Sequence, residues 1–535
     1  TPDPYLNAMG GALAVAADAI WESPSYLHGA IGWRVQLPGW RGAYAGDFLG
    51  WHDRAREHFT AYAASQRINM PDKPVIMDTV LNLARTAKIP GTPMYSSGYI
   101  SRYPGRTEDM SHYDMNLVYI DALLWHLNWT GDTAYARQVW PVLERHLAWE
   151  KRNFDPDGDG SYDAYCCIWA SDALQYGGGN VTHSSAYNYR ANRIAAQIAR
   201  LLGENPAPYQ AEADKIHKAV RENLWMRERG HWAEFRDYGG RQRLHASPAV
   251  WTFYHAVDSD LSSDGLEAWQ AARYVDRAIP HIPVRAEGYP DDGSYVVATT
   301  NWMPYVWSIN NVAFAESAHT ALGLWQAGMN ERAYGLFKGT ILDAMYLGGS
   351  PGNVGQVSFY DAARGETYRD FADPTGAAAR ALVQGLFGIR PDALHGKLEI
   401  RPGLPSSWEH ASFSTPDVDF SYRRKGVTET YTVNQRLPKR CRLFLTVPAL
   451  REFVGTVTVN GEKVRPLRET GVGRPVWKID CGTAESMQVE IAWKGKPIVN
   501  KTDCPDVIAQ GDRLTVRLAP GQSLEEVRDP QGVVS

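Results

Sequence analysis

Apolar residues recur at helical spacing over most of the first 390 residues and divide that part of the chain into paired segments. Short links such as Gly131-Asp132 join the two members of a pair, so paired helices should be antiparallel neighbours. About ten to twelve helices are expected from this period. The clearest are predicted at 4–21, 44–66, 112–132, 133–153, 181–202, 207–226, 264–278, 304–328, 329–345 and 374–388.

Long irregular stretches rich in Gly, Pro and aromatic residues separate these pairs, at 22–43, 67–111, 279–300 and 346–373. Loops of that length inside a compact domain are usually functional. Because they recur after alternate helices, the sequence predicts a closed ring of helical hairpins with its long loops gathered at one end. An open solenoid is the alternative, but no fixed internal period supports it.

After Pro391 the pattern changes from helical spacing to alternation between apolar and polar positions. Segments such as TETYTVNQ, CRLFLTVPAL and GTVTVNGEKV alternate with a period of two between turn residues, which is typical of strands and hairpins. We therefore expect a mainly α catalytic domain over 1–392 and a C-terminal antiparallel β-sandwich domain over 393–535. The second domain carries no acid-rich pocket of its own, so a structural or ancillary carbohydrate-binding role is favoured there.

The amino-acid composition indicates which kinds of molecule the protein binds. The net charge is −5 and basic residues are scattered, which argues against a nucleic-acid surface. No apolar run is long enough for membrane insertion. The chain has 19 Trp and 28 Tyr, and flat amphipathic rings of this kind make stacking platforms for sugars.

The five cysteines show no spacing typical of a zinc site. Two disulfides remain open alternatives, one between Cys441 and Cys481 and one between Cys481 and Cys504. Neither is required for stability in a chain of this size.

The stretch from 155 to 190 carries the most informative chemistry. An acidic, Gly-punctuated loop is followed by an aromatic-rich segment that contains Asp172, and then by a helix. The loop acids alternate as in calcium sites, but the twelfth position counted from Asp155 is Cys166 rather than Glu. An acidic turn between helices is therefore favoured over a structural calcium at Asp155 to Asp163, and no cofactor or metal is expected.

Glycoside hydrolysis needs two carboxyl groups on either side of one bond, one protonated and one ionised. Asp172 has Trp169 and Tyr176 close in sequence, and an apolar wall raises the pKa of a carboxyl group. Glu366 has Arg369 nearby, a neighbour that keeps a carboxylate ionised. We predict Asp172 as the general acid and Glu366 as the general base. A separation of about 6.5–9.5 Å would give inversion, which is the predicted outcome.

Glu287 is the strongest rival for one of the two catalytic roles. It lies in a long loop beside Asp291 and Asp292, shortly before the aromatic stretch that begins at Trp302.

Three segments, in order, resemble the six-hairpin (α/α)6-barrel glycosidases. They are DPDGDG at 155–160 with WASD at 169–172, NWMPYVW at 301–307, and ETY at 366–368 with DPTG at 373–376. The resemblance is to the processing α-glucosidase and trehalase type, and more distantly to the α-L-rhamnosidases, which also carry a β-sandwich after the helical barrel. The chain looks most like an uncharacterised branch from polysaccharide-degrading bacteria.

This resemblance implies an (α/α)6 barrel, an acid at Asp172 and a base at Glu366. It also implies sugar contacts in the motifs and in the stretch that leads to Asp47, and a polar ring such as that of His183 could add further ones. The expected sugar-binding residues are Trp40, Arg41, Asp47, Trp51, Trp169, His183, Asn301, Trp302, Trp307 and Tyr368.

The expected function is an exo-acting, inverting glycosidase that acts on an oligosaccharide or polysaccharide. An (α/α)-barrel polysaccharide lyase using His183, Asn188, Tyr189 and Arg190 is one alternative, and a non-catalytic carbohydrate-binding protein is another. The chain opens almost directly in a helix and shows no signal peptide at Thr1. We therefore expect a trimmed piece of a secreted or periplasmic precursor, with room for a further N-terminal β domain or segment.

Overall fold

The computed structural model describes residues 1–31, 34–69, 95–107, 109, 112–165, 174, 176–303, 308–347, 371–498, 508–518, 527 and 529, and the backbone alone of 77–78, 83–86, 166–167, 175, 359–361 and 366–368. A helical region is followed by a sheet-rich C-terminal region, which confirms the coarse expectation from the sequence.

The described part of the chain forms thirteen α-helices. They are α1 (Pro4–Asn7), α2 (Met9–Ala19), α3 (Tyr44–Phe48), α4 (His52–Ala63), α5 (Met115–Thr130), α6 (Thr133–Phe154), α7 (Thr182–Leu202), α8 (Ala207–Asn223), α9 (Val250–Asp258), α10 (Gly265–Ala278), α11 (Phe314–Gln326), α12 (Asn330–Ile341) and α13 (Asp373–Arg380). Helices α12 and α13 continue as π-helical turns over Leu342–Leu347 and Ala381–Leu386. Within the described residues, no helix is both long and apolar enough to cross a membrane.

Six alternate helices pack side by side in sequence order, and the last returns to the first. α3 contacts α5, α5 contacts α7, α7 contacts α9, α9 contacts α11, α11 contacts α13, and α13 contacts α3. We call these six helices the ring. The helices between them pack against its outside, for example α8 against α7 and α12 against α11.

Each ring helix follows a long connection and is followed by a short link. The six long connections therefore lie at the N-terminal ends of the ring helices. Each long connection carries short strands. The strands are β1 (Trp21–Glu22), β2 (Ser25–Tyr26), β3 (Met77–Asp78), β4 (Leu83–Thr86), β5 (Cys166–Cys167), β6 (Leu174–Gln175), β7 (Trp225–Met226), β8 (His231–Trp232), β9 (His281–Pro283), β10 (Tyr295–Val297), β11 (Val312–Ala313), β12 (Phe359–Asp361) and β13 (Glu366–Tyr368).

Four helix predictions differ from the structure. The single helix expected at 4–21 is two helices, α1 and α2. Helix α9 was not predicted, because it has only nine residues and most of them are aromatic or β-branched, types that favour strands. The single helix expected at 44–66 is two helices, since Gly50 adopts a left-handed conformation with φ of 72° and ends α3. The helix expected from 304 begins at Phe314, after strand β11.

The C-terminal region contains two sheets. The alternation of buried and half-buried residues along Thr428–Gln435 shows how one face of a strand joins the core. The five-stranded sheet has the order β14-β15-β19-β23-β22 and the six-stranded sheet the order β16-β17-β18-β24-β20-β21. Their strands are β14 (Ile389–Asp392), β15 (Lys397–Ile400), β16 (His410–Ser414), β17 (Val418–Lys425), β18 (Thr428–Gln435), β19 (Arg442–Pro448), β20 (Arg451–Val459), β21 (Glu462–Lys463), β22 (Leu467–Glu469), β23 (Val476–Gly482) and β24 (Ser486–Pro497).

The expectation of a purely antiparallel domain is wrong at one place. Strands β15 and β19 pair in parallel, because the chain between them crosses to the other sheet for β16, β17 and β18 and returns in the same direction. The bridge considered between Cys441 and Cys481 is also absent, since both are buried free thiols. Cys504 lies outside the described residues.

The sheets contact the ring at the end where the short links lie. At that end of α5, Trp129 Nε1 donates to Asp417 at 2.6 Å, and His52 at the start of α4 lies 2.9 Å from the same carboxylate. Trp325 Nε1, at the end of α11, donates to the carbonyl of Gly403 at 2.9 Å. The long connections are therefore at the end of the ring that does not face the sheets.

Gly376 on α13 marks the closest approach within the ring. A Cβ at this position would lie 1.7 Å from the carbonyl oxygen of Arg41. We expect Gly376→Ala to destabilise the protein by about 1–3 kcal/mol or more, because the helix must move away. Urea unfolding followed by circular dichroism measures this loss. Gly11→Ala is the matched control, since its Cβ would meet nothing within 4 Å, and equal stability of the two variants would contradict the close contact.

Candidate functional site

The ring helices carry buried polar side chains on the faces that meet at the centre of the ring. On α11, for example, the buried Glu316 and His319 and the half-buried Gln326 are three and seven residues apart, a spacing that keeps them near one helix face. The other buried members are Tyr44 on α3, Asp121 on α5, Arg190 on α7, Tyr254 and Asp258 on α9, and Asp373 and Arg380 on α13.

One group of these side chains lies towards the C-terminal ends of the ring helices and surrounds Asp258. We call this group the Asp258 hub. Asp258 accepts from Arg380 through two bonds of 3.0 Å, from Arg190 at 2.9 Å and from Gln326 at 2.7 Å. Burial alone would raise the pKa of Asp258, but the two guanidinium groups hold it well below its usual value. Arg190 also donates to Asp121 at 3.1 Å.

At the N-terminal ends Arg41 lies between two acids, and we call this group the Arg41 clamp. Its Nε and its backbone N–H donate to Asp373 Oδ1 at 2.9 and 2.8 Å, and its guanidinium also pairs with Glu316. Tyr254 donates to the second oxygen of Glu316. Burial raises the pKa of Glu316 despite the opposing effect of Arg41. His319 stacks on Tyr254 at 4.0 Å. Its two ring nitrogens lie 3.1 Å from Arg41 and 3.5 Å from Asp258, so it links the clamp to the hub.

His183, on the first turn of α7, is the sequence-predicted residue with uncommitted polar atoms. Its side chain is fully buried, and within the described residues neither ring nitrogen has a hydrogen-bond partner. Burial lowers its pKa to about 3, so at neutral pH the imidazole is an uncharged ring with one donor and one acceptor. Its ring neighbours are Tyr176 at 5.7 Å and His255 at 6.4 Å.

Trp40 belongs to an aromatic group that joins the first long connection to the last. The ring of His28 lies 4.8 Å from that of Trp40 and stacks on Phe371, also at 4.8 Å. Gly29 and Phe371 form a backbone bridge beside it. Trp40 and Arg41 both lie at the N-terminal end of the ring helices, and their sugar contacts stay predictions.

Asp47 and Trp51 lie elsewhere. Asp47 is buried and lies 2.9 Å from both His126 Nδ1 and His52 Nδ1, and His52 continues to Asp417. This carboxylate therefore connects the ring to the C-terminal sheets, a geometry that disfavours the predicted sugar contact. Trp51 is covered by the guanidinium of Arg54 at 4.3 Å.

Asn301 and Trp302 lie at the edge formed by the fourth and fifth long connections. Trp302 Nε1 donates to the carbonyl of Ser247 at 2.7 Å, and its ring meets that of Trp251 edge-on at 5.7 Å. Asn301 is exposed and donates to the carbonyl of Ala278 at 3.3 Å.

The predicted catalytic residues are described unequally. Asp172, Trp169 and Trp307 lie outside the described residues. Glu366 and Tyr368 are described by their backbone in β13, which pairs with β12, whose other neighbour β11 leads directly into α11. The backbone of Glu366 is therefore at the clamp end of the ring.

Glu287 lies in the connection between β9 and β10. Its side chain is exposed, and within the described part of the chain it forms no hydrogen bond or ion pair. Such surroundings provide no apolar wall to keep a carboxyl group protonated. Its predicted catalytic role stays a prediction.

The acidic loop holds Asp155, Asp157 and Asp159 with carboxylate oxygens within 4.8 Å of one another. Lys215 Nζ lies 2.9 Å from Asp155 and supplies positive charge to the group. Burial, followed by the three neighbouring carboxylates, raises the pKa of Asp163 to about 7. Backbone N–H groups of the loop donate to its own carboxylates, for example Gly160 N–H to Asp155 Oδ1 at 3.0 Å. Such bonds are consistent with an acidic turn.

Tyr254, Asp258, Glu316 and Arg380 were not singled out from the sequence. The available signal was a polar residue every three, four or seven positions within otherwise apolar helices. That spacing places ionisable groups on the face where a ring of helices meets.

Comparisons with known proteins show a likeness in fold. No family model matches the chain, and no curated protein matches it. Among solved structures, an α-L-rhamnosidase from Dictyoglumus thermophilum has a TM-score of 0.58 at 12% identity, over 92% of this chain and 49% of that one. A Streptomyces avermitilis α-L-rhamnosidase complexed with L-rhamnose has a TM-score of 0.52 at 14% identity, over 92% and 41%.

A GH78 family rhamnosidase of Bacillus sp. GL1 has a TM-score of 0.51 at 13% identity, over 81% of this chain and 39% of that one. The expected resemblance to the α-L-rhamnosidases is therefore confirmed for the fold. The chain spans half or less of the length of these three structures.

We expect Asp258→Asn to destabilise the protein by about 3–5 kcal/mol, because Arg190 and Arg380 would remain buried without their shared counter-charge. The difference from wild type should shrink as the pH falls below about 4, where the unfolded carboxyl group binds a proton and the contribution of the low-pKa carboxylate is lost. Urea unfolding at several pH values measures both effects.

Glu222→Gln is the control for this experiment. It removes one carboxylate from an exposed pair with Lys218 at 3.9 Å, and such pairs contribute about 0–1 kcal/mol. A loss for Asp258→Asn no larger than that of the control would contradict the role of the hub.

Proposed function

We propose that the chain is an (α/α)6 barrel over 1–392 followed by a β-sandwich domain over 393–535. The cyclic packing of the six ring helices, each with an outer partner, supports the barrel. The two sheets and the likeness in fold to three rhamnosidases support the second domain.

The proposed activity is hydrolysis of a glycosidic bond. The observation that carries this proposal is the fold shared with the α-L-rhamnosidases, together with long connections gathered around the N-terminal ends of the ring helices. The Arg41 clamp closes the centre of the ring beneath them with buried side chains. A site closed on one side favours an exo-acting enzyme that removes sugars from a chain end.

Asp172 is proposed as the general acid and Glu366 as the general base, with Glu287 as the alternative to either. Strand β13 brings the backbone of Glu366 to the clamp end, and the segment that holds Asp172 joins β5 to β6 shortly before α7. His183 and Trp40, which lie at this end, are proposed to contact the sugar. Arg41 is bound to Asp373 and Glu316, and its sugar contact stays a prediction.

The substrate is proposed to be an oligosaccharide or polysaccharide and the location secreted or periplasmic. Sugar contacts by Asp47, Trp51, Trp169, Asn301, Trp302, Trp307 and Tyr368 stay predictions.

Two of the residues proposed for a lyase, Asn188 and Arg190, are engaged in structural hydrogen bonds. Asn188 donates to Glu150 at 3.0 Å and to the carbonyl of Ser184 at 3.1 Å. Arg190 is held by Asp258 and Asp121. Neither side chain is available to neutralise a uronate, so hydrolysis is favoured.

Asp172→Asn and Glu366→Gln should each lower kcat by about 10²–10⁴-fold, because each removes one proton-transfer group. Release of 4-nitrophenol from a panel of aryl glycosides, beginning with the α-L-rhamnoside, measures turnover. Glu144→Gln, an exposed change on α6, should retain full activity. Glu287→Gln is assayed in parallel, and loss of turnover there with full activity in Asp172→Asn would transfer the acid role to Glu287.

The first-formed product should carry the anomeric configuration opposite to that of the substrate. Inversion follows if the two carboxyl groups leave room for a water molecule between them and the sugar. Proton NMR within the first minutes of hydrolysis distinguishes the anomers before mutarotation. A retained configuration would instead require a nucleophilic carboxylate about 5–5.5 Å from the acid.

A further inference from the structure

Two adjoining cavities, each of about 260 Å³, lie between the C-terminal ends of the ring helices and the five-stranded sheet. Residues at the ends of α5, α7 and α9 line the first, and Trp325 on α11 lines the second. Both cavities share Asp260, Arg390 and Glu399. They are separated by the depth of the ring from the site proposed above.

Two arginines from neighbouring strands project into this space. Arg390 on β14 lies opposite Glu399 on β15, and Arg401 directly follows that strand, with its N–H bonded to the carbonyl of Gly388 at 2.9 Å. Diagonal neighbours in an antiparallel pair are about 7–8 Å apart, within reach of long side chains. Both guanidinium groups line the second cavity.

Within the described residues, neither Arg390 nor Arg401 forms a side-chain hydrogen bond or an ion pair. Arg390 is half-buried and its guanidinium lies 5.8 Å from the ring of Trp125, and Arg401 is exposed. The acids nearest to them have other partners. Asp260 pairs with Arg193 at 2.7 Å, and Glu399 lies 3.8 Å from Lys478.

The cavities contain further polar atoms without partners. Trp125 Nε1 and Arg193 Nε are buried donors, and Asn128 Oδ1 is a buried acceptor, all in the lining of the first cavity. Buried polar groups are normally satisfied by protein or by bound molecules. Gln326 Oε1 is a second buried acceptor without a partner and lines the second cavity, so the excess of donors comes from the guanidinium groups of Arg390 and Arg401.

We propose that this interface binds a small oxyanion between Arg390 and Arg401, with phosphate, sulfate or a carboxylate as the ligand class. Planar guanidinium groups bind such oxygens through paired, charge-assisted bonds. Liquid water occupies about 30 Å³ per molecule, so each cavity has room for a compact oxyanion with part of its hydration shell. Because the two arginines come from the sheet and the cavity wall from the ring, the anion would stabilise the contact between the two parts of the chain.

Titration of the full chain with inorganic phosphate, sulfate and acetate tests the proposal, with chloride at equal ionic strength as the reference. Isothermal titration calorimetry should show saturable binding of at least one oxyanion, and thermal unfolding should shift upward with the same concentration dependence. Acetate binding without phosphate binding would identify a carboxylate as the preferred ligand, and the reverse would identify a tetrahedral anion.

Arg390→Gln and Arg401→Gln should each weaken this binding by about ten-fold or more. Neither change should lower the unfolding temperature in chloride alone, because each relieves repulsion between two like charges. Arg442→Gln is the matched control, since Arg442 on the same sheet already pairs with Asp480 at 2.6 Å, and it should bind as wild type. No saturable response beyond chloride, or an unchanged response in both cavity variants, would overturn the proposal.

Discussion

One buried carboxylate, Asp258, determines how the ring helices are arranged relative to each other. It is the last residue of α9, and it binds side chains from α7, α11 and α13 at once. An ion pair removed from water stabilises a fold only when its remaining bonding capacity is filled. A sliding movement of any of these helices would leave a guanidinium group or the carboxylate without its partner. The hub therefore fixes the register of four helices that apolar packing alone would leave free to shift.

The Arg41 clamp applies the same constraint at the other end, and it connects the beginning of the first ring helix to the beginning of the last. Arg41 precedes the first ring helix and Asp373 begins the last. Their contact, together with the close approach of Gly376 to the Arg41 backbone, joins the first ring helix to the sixth. The long connections therefore surround a group of side chains that is held in place by buried ion pairs. A rigid support of this kind is needed to place catalytic groups accurately on loops.

The sequence was most informative where a helix is long and least where it is short. Helices α6 and α7 have 22 and 21 residues, and their predicted bounds lie within one residue of the observed ones. Helix α9 has nine residues, most of them aromatic or β-branched, types that favour strands. Asp258 was missed for a further reason: its partners lie 68 and 122 residues away, and nothing local indicates such a pairing.

The direction of the ring helices imposes an electrostatic asymmetry on the proposed chemistry. All six enter the ring from the long connections, so their N-terminal ends share one end of the ring, where partial positive charge favours carboxylates. Glu316 and Asp373 occupy first turns there, as that field predicts. An ionised base such as Glu366 would be stabilised at this end, whereas a carboxylic acid must keep its proton against the field. The proposed general acid therefore needs apolar neighbours more than the proposed base does. The aromatic residues close to Asp172 in the sequence are the ones that would keep its carboxyl group protonated at neutral pH.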